Sequence, residues 1–547
     1  MGREPAFARL APALEAATSG VSTTVLLEGP GGMGSSRFLT EASQRVTALA
    51  EPFTVLRGRA LPIGRDEPYA PLLRALRPVL AAVPDAELVP LLGPSVEDHL
   101  RLLPELHSRL ARAGALPDRL TATSAERRQA RLLEGILGVI GRLAEQRPVM
   151  LILEDLHHAD SGTRALATFL ARVQRPNRVC LIASYQPGEL TRAHPLSRAI
   201  ASMLTARRPA NRIEIEPLGR DELADLVEGI EGERPTGSVL VLVADQSRGN
   251  PLIAEELLAA RRELSGASLT ASFEDLVIAR LALRSPECRR LLRLLAPAGR
   301  PLTMAELAEV AEAYERTTNG RLPPRSSSRP RRGDGPVDGD LAAGLAEAVE
   351  HGIVEVGEEG LDFRHELVGR AVADDLLPGQ RHRHHLALAA GLAAHPESAA
   401  WHWQEARETR EVHRAAVAAA GRAEAVYSPE DALADLELAL SAVVRRPSVD
   451  NDDDDLDAAD VLPLQIRAAE AAFAAARPAR AVAYVESVMA SLDERKDRVA
   501  LGLLYERLGR YRRSAGDIEG TLAALERAVA LIPTGSSIER ATVVAAL

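Results

Sequence analysis

Residues 25–37 read Val-Leu-Leu-Glu-Gly-Pro-Gly-Gly-Met-Gly-Ser-Ser-Arg, and no other stretch restricts the fold of this chain as strongly. The apolar Val25, Leu26 and Leu27 make a buried strand. Gly29, Gly31, Gly32 and Gly34 make a turn, and apolar periodicity from Ser36 onward opens a helix. Strand, glycine-rich turn and helix in that order build a nest of backbone amides that cradles phosphate. The full pattern is Gly-x-x-x-x-Gly-Lys-Ser/Thr, in which the lysine reaches the β- and γ-phosphates. Gly29 and Gly34 fill the glycine positions, with Pro30, Gly31, Gly32 and Met33 between them, and Ser36 supplies the hydroxyl that faces Mg²⁺. Ser35 stands where the lysine belongs.

A general exchange of lysine for arginine does not account for Ser35. Lys496 is the chain's single lysine, so such an exchange predicts arginine at position 35. Arg37 instead lies two residues on, in the first helical turn, where its side chain is not expected to reach back over the phosphates. A serine replaces an ammonium by a short neutral donor, which removes several kcal/mol of transition-state stabilisation. Binding of ATP or ADP with Mg²⁺ is therefore expected to be weakened, and hydrolysis reduced or absent.

From about residue 5 to 260, apolar runs alternate with amphipathic helices, which predicts a P-loop NTPase-like α/β domain with a parallel sheet, residues 1–265 including a helical lid. The strand candidates are residues 25–27, 54–56, 149–153, 179–183 and 213–215. A crossover helix is expected over 126–145, with Leu132, Leu133, Ile136, Ile140 and Leu143 on one face. Helices around 273–283, 286–295 and 341–351, then short strands at 353–356 and 361–364, suggest a winged-helix module over 266–380. A Pro-, Ser- and Arg-rich insertion at 315–340 has linker composition and is expected to be disordered. Residues 381–547 are helix after helix. Tyr505, Leu508, Gly509, Thr521, Leu525, Ala528 and Pro533 follow the offsets of a tetratricopeptide (TPR) repeat. The acidic run at 450–455 reads as a solvated break. The end at Val544-Ala545-Ala546-Leu547 lacks a polar closing face, so the array is expected to continue or to be capped by a partner.

Composition narrows the function classes. A net charge of −11 argues against a broad nucleic-acid face, and the basic spot at 325–332 sits among prolines and serines. Cys180 and Cys288 are too few for a disulfide framework, and no uncharged run approaches the length of a membrane span. A cytoplasmic protein is expected.

The apolar run 149–153 ends in Glu154 and Asp155. Two carboxylates at the end of a buried strand face the phosphate loop across the sheet edge, where one can hold Mg²⁺ and the next can orient water. Glu154 takes the metal side with Ser36, and Asp155 the water side.

In their order, Gly-Arg-Glu at 2–4, the loop at 29–36, Leu-Glu-Asp-Leu-His-His-Ala-Asp at 153–160, Gly-Asn-Pro-Leu at 249–252 and Phe-Arg-His-Glu-Leu at 363–367 resemble the STAND branch of AAA+ ATPases. The similarity is closest to the large LuxR-type transcriptional regulators. That resemblance implies a switch in which ADP holds a closed state and exchange for ATP permits oligomerisation. It implies Pro251 near the base, His365 on the phosphates, protein partners or an effector on the helical repeats, and DNA contact only through a helix-turn-helix domain that this chain lacks. Gln186 stands where the family has an arginine, and His158 where it commonly has tryptophan. An alternative is a nucleotide-free scaffold that recruits partners through its repeats.

Other residues invite plainer readings. His157 and His158 beside Asp160 read as hydrogen-bonded loop residues rather than a metal site. His382, His384 and His385 read as a solvated helix turn, Trp401 and Trp403 as core anchors, and Cys180 as buried and inert.

Overall fold

Five short runs become one parallel sheet in the computed structural model, which describes residues 2–61, 66–112, 114, 125–173, 177–263, 272–318, 339–357, 359–444, 458–535 and 537–547. β1 (Thr23–Glu28), β2 (Thr54–Arg59), β3 (Val149–Glu154), β4 (Val179–Tyr185) and β5 (Asn211–Glu214) lie in the order β2-β3-β4-β1-β5. β3 and β4 are buried at every position, which is why they read as continuous apolar runs instead of alternating ones. α1 (Glu4–Thr18) and α2 (Ser35–Thr47) bury Leu10, Phe38, Leu39 and Val46 with Val25, Leu27, Ile152 and Ile182 on one side of the sheet. The helices Ala70–Ala82 and Ser161–Val173 lie on β2, β3 and β4.

All strands point the same way, so their carboxyl ends form one edge. β1 has β4 on one side and β5 on the other, and the chain leaves it through α2 to reach β2 at the far edge. Such a switch point is where open α/β sheets bind ligands.

Clustering of contacts divides the chain into two units, Met1–Arg119 with Leu133–Ala406, and Leu120–Leu132 with Arg407–Leu547. In the first, the helices Arg220–Glu231, Gly237–Ser247 and Pro251–Glu263 close a small core of Leu223, Val227, Val243, Ala254 and Leu258. Next come the helices Phe273–Ala282, Pro286–Leu295, Met304–Thr318 and Gly339–Glu350, the antiparallel hairpin β6 (Val354–Gly357) and β7 (Gly360–Phe363), and the helix Glu366–Asp374.

Several sequence expectations need correction. The helix Met304–Thr318 lies where none was expected, although Leu307, Val310 and Ala311 recur at helical spacing and bury in the module's core. It runs into the expected insertion, and the next helix begins at Gly339; residues 319–338, with the basic spot, lie outside the described residues. The expected boundaries at 265 and the acidic run at 450–455 also fall there. The boundary expected at 380 falls inside the helix Pro378–Gly391, because Ala387, Leu388 and Leu392 complete the core of the preceding module.

That helix is covered on two sides, by Met304–Thr318 and Pro396–Glu405, so His384 and His385 are buried, while His382 stays exposed as expected. His384 stacks on Tyr314, and His385 Nδ1 lies 3.0 Å from His402 Nδ1. Burial pushes the His384 and His385 imidazoles down to about 4, which keeps them neutral. His402 is the fully buried residue of its helix, while Trp401 and Trp403 are only half-buried.

The second unit is helical. Leu508, Leu525 and Ala528 are buried between the helices Arg498–Ser514 and Ile518–Leu531. A Cβ at Gly509 would lie 2.9 Å from Leu525, so the Leu-Gly pair marks a close contact between the two helices. No helix among the described residues is long and apolar enough to cross a membrane.

Candidate functional site

The loop between β1 and α2 is shaped by glycine. Gly34 is the residue before α2 and has φ +86°, and a Cβ there would meet nothing within 4 Å, so backbone conformation alone demands glycine. Gly32, at φ +80°, is also crowded, since a Cβ would lie 2.8 Å from Asn250 Oδ1. The first bond closing α2 runs from the Phe38 amide to the Gly34 carbonyl, 2.9 Å. The amides of Ser35, Ser36 and Arg37 precede it and find no acceptor within the helix, and no side chain caps this end.

The loop's carbonyls are held from outside. Arg3 donates to the Met33 carbonyl at 2.6 Å and to that of Glu216. Asn250 Nδ2 donates to the Gly31 carbonyl at 3.0 Å, while Asn250 Oδ1 accepts the Leu252 and Ile253 amides at 3.0 and 3.4 Å. One side chain thus caps the helix that Pro251 begins and anchors the loop. With its carbonyls committed, the turn has amides to offer an anion, and the cradle fits a phosphate group.

Glu154 ends β3, is 3% exposed, and accepts from Arg57 Nε at 2.5 Å. The same guanidinium donates to Thr40 Oγ1 at 2.8 Å and to the Ser36 carbonyl at 3.3 Å, so it bridges Glu154 to the first turns of α2. Asp155, at φ +54°, accepts from Arg59 Nε at 2.9 Å, and its amide donates to Ser184 Oγ at 3.0 Å. Burial works to lower the Arg59 guanidinium, but Asp155 and Glu154 outweigh it and hold it charged. Both acids therefore carry an arginine from the neighbouring strand. Mg²⁺ bound through Ser36 and Glu154 does not fit beside this pair, because Glu154 is enclosed and already spent on Arg57.

Arg57 and Arg59 were not foreseen, because β2 was expected to end at Leu56. The signal was present in Arg57-Gly58-Arg59: two cations two residues apart share one face of a strand.

The helix Glu366–Asp374 closes the other side. A Cβ at Gly31 would lie 3.1 Å from Gln186 Oε1 and 3.7 Å from Leu367 Cδ1, so both side chains lie over the loop. Glu366 is 3.7 Å from Arg59, and burial followed by repulsion from Asp155 pushes its carboxyl up to about 7. His365, the residue before this helix, places Nε2 3.8 Å from Glu255, whose carboxyl the imidazole holds below its ordinary value. Arg37 is 81% exposed and lies 4.0 Å from Glu255.

Among solved structures, the chain is similar to a STAND protein with a tetratricopeptide repeat sensor from Pyrococcus horikoshii, at 12% identity and a TM-score of 0.46, covering 98% of this chain and 66% of that one. The chain thus spans just under two thirds of that protein's length. It is also similar to a Walker-type ATPase of Pyrococcus abyssi, at 12% identity and TM-score 0.29, over 68% of this chain and 95% of that one. A third similarity is to RuvB of Thermotoga maritima, at 13% identity and TM-score 0.26, over 66% and 92%. A search of curated proteins returns no match. Residues 1–182, which carry the loop, both acids and four of the five sheet strands to Ile182, match the family model described as an AAA ATPase domain.

Proposed function

We propose that this chain is the nucleotide-responsive part of a STAND-type signalling ATPase, one that binds a nucleoside di- or triphosphate and hydrolyses it weakly or not at all. One observation carries this reading: Arg57 on Glu154 and Arg59 on Asp155 occupy the two carboxylates that hydrolysis would need for Mg²⁺ and water. The amides of Ser35, Ser36 and Arg37 remain available to an anion, and Arg57 sets a cation beside the start of α2 from another strand. Phosphate binding is served by that arrangement and metal-assisted attack is not.

Leu367 and Gln186 over Gly31 correspond to a closed state, and ligand entry requires the helix Glu366–Asp374 to move. The resemblance to LuxR-type regulators extends the proposal to transcriptional control in the cytoplasm. In it the module around β6 and β7 acts as a winged helix, the repeats carry an effector or protein partner, the chain self-associates, and DNA is contacted through a domain outside it.

Calorimetric titration with ADP and ATP, with and without Mg²⁺, tests the reading. Saturable binding is expected, little changed by Mg²⁺ and without phosphate release, and Ser35→Lys should tighten it by roughly tenfold. Steady Mg²⁺-dependent phosphate release would overturn it. The space over Gly31, filled by Gln186 and Leu367, favours the scaffold reading, which becomes the better one if millimolar nucleotide gives no heat.

A further inference from the structure

We propose that His157, His158 and Glu189 form a binding site for a transition-metal dication of the zinc class. The turn after β3 presents the two imidazoles, and the turn Pro187–Glu189 after β4 presents the carboxylate. His157 Nε2 lies 3.6 Å and His158 Nε2 3.7 Å from the same oxygen, Glu189 Oε2. One donor atom from each residue falls within 4.8 Å of the others. Zinc bonds of about 2.0–2.2 Å in tetrahedral geometry set donor atoms roughly 3.3–3.6 Å apart, so these side chains need to close only slightly.

An independent observation points the same way. Both Nε2 atoms are buried and have no hydrogen-bond partner, and the His157 side chain is 1% exposed. An orphaned buried imidazole nitrogen is costly, and two of them aimed at one carboxylate are accounted for by an ion between them. Asp160, the neighbouring acid in sequence, is not part of the set: it accepts from the Thr163 amide at 2.8 Å and from its hydroxyl at 2.5 Å. Glu189 is 36% exposed, which gives an ion a route from solvent, and Arg370 lies 3.8 Å from its other carboxylate oxygen. Two imidazoles and one carboxylate suit Zn²⁺, Co²⁺ or Ni²⁺ and disfavour Mg²⁺ and Ca²⁺, leaving a position for water.

Coordination has a defined consequence. His157 Nδ1 accepts the Gln186 amide at 3.4 Å, which puts the proton of the neutral ring on Nε2. Metal at Nε2 moves that proton to Nδ1 and ends this long bond, releasing Gln186, whose side chain lies over Gly31. The site does not depend on nucleotide being bound.

The test uses the full chain, stripped with a chelator and titrated with Zn²⁺ in competition with a chromophoric chelator, and with Co²⁺ followed by its visible absorption. One ion per chain is expected, with intense tetrahedral-type Co²⁺ bands and no competition from millimolar Mg²⁺. Glu189→Gln and His158→Gln should each weaken binding by roughly tenfold or more. Both lie toward the surface, so they remain informative where His157→Ala misfolds. His395→Ala, which removes an imidazole paired with Glu306 at 3.1 Å, should leave it unchanged. Absence of saturable micromolar binding, or binding indifferent to Glu189→Gln and His158→Gln, overturns the proposal.

Discussion

Arg57 decides what Glu154 can do. A carboxylate 3% exposed at the end of a buried strand is tolerable because a guanidinium lies on it, and that guanidinium is one-third exposed and also holds α2 through Thr40. Arg57→Ala leaves the acid enclosed without its cation and should cost about 1–3 kcal/mol, below the roughly 3–5 of a fully buried broken pair because solvent reaches the arginine. Adding Glu154→Gln should restore most of the loss, and the thermal midpoint of the four proteins of the cycle measures it. An additive result would mean that the two side chains do not support each other. Glu366 makes a pH prediction. Its folded carboxyl lies at about 7, above its ordinary 4.5, so the folded state holds the proton more tightly than the unfolded one. Its contribution to stability is complete below pH 4.5 and is lost as the pH rises through 7. Asp362, pushed up to about 6 by burial, acts in the same direction. The buried His384 and His385, pushed down to about 4, act in the opposite direction by favouring the folded state as the pH rises toward 6.5, so Glu366→Gln should make the midpoint climb more between pH 5 and 7.5 than it does in the unaltered chain. A slope unaltered by Glu366→Gln would show that this carboxyl is not enclosed against Asp155.

At the scale of elements, the phosphate loop is held between two helix starts. Asn250 ties it to the helix Pro251–Glu263 with one bond outward and two inward. Asn250→Ala forfeits all three and leaves the Gly31 carbonyl unpaired, so it should cost about 1–3 kcal/mol and speed proteolysis within the loop. Unchanged cleavage there would mean that α1 and Arg3 suffice to hold the turn. The sheet was legible because its central strands β1, β3 and β4 are apolar runs buried on both faces, and the loop because glycine spacing has one backbone meaning. Arg57 and Arg59 were hidden because β2 turns polar where it reaches the sheet edge, and a run of arginine in so arginine-rich a chain carries little contrast. The histidines at 384 and 385 were misread for a related reason: a polar residue in a helix covered on two sides is indistinguishable in sequence from one on a solvated face. Asp160 beside His157 and His158 drew attention as a metal ligand, yet Glu189, about thirty residues away, is the carboxylate the fold brings to them.

At the scale of the whole molecule, the two units are built from different contacts and should lose them separately. The first rests on a parallel sheet whose partners are far apart in sequence, and the second on helices that meet their chain neighbours. Arrays of the second kind derive stability from nearest-neighbour interfaces, so damage at one interface stays largely within the array. Gly509 tests this. A methyl group there enters the space of Leu525 at 2.9 Å, and the backbone carbonyl of Thr521 stands at 3.4 Å on the same approach, so the helices must separate. Gly509→Ala should destabilise the array by about 1–3 kcal/mol, the range for overpacking a well-filled contact. Scanning calorimetry of the full chain should then show two transitions, of which one falls by several degrees and the other stays in place. Nucleotide should move the transition that Gly509→Ala leaves in place and not the other, since its cradle lies wholly in the first unit. A single transition that shifts as a whole with Gly509→Ala would mean that the repeats and the loop share one cooperative unit, through which an effector on the repeats would be felt directly at Gly31.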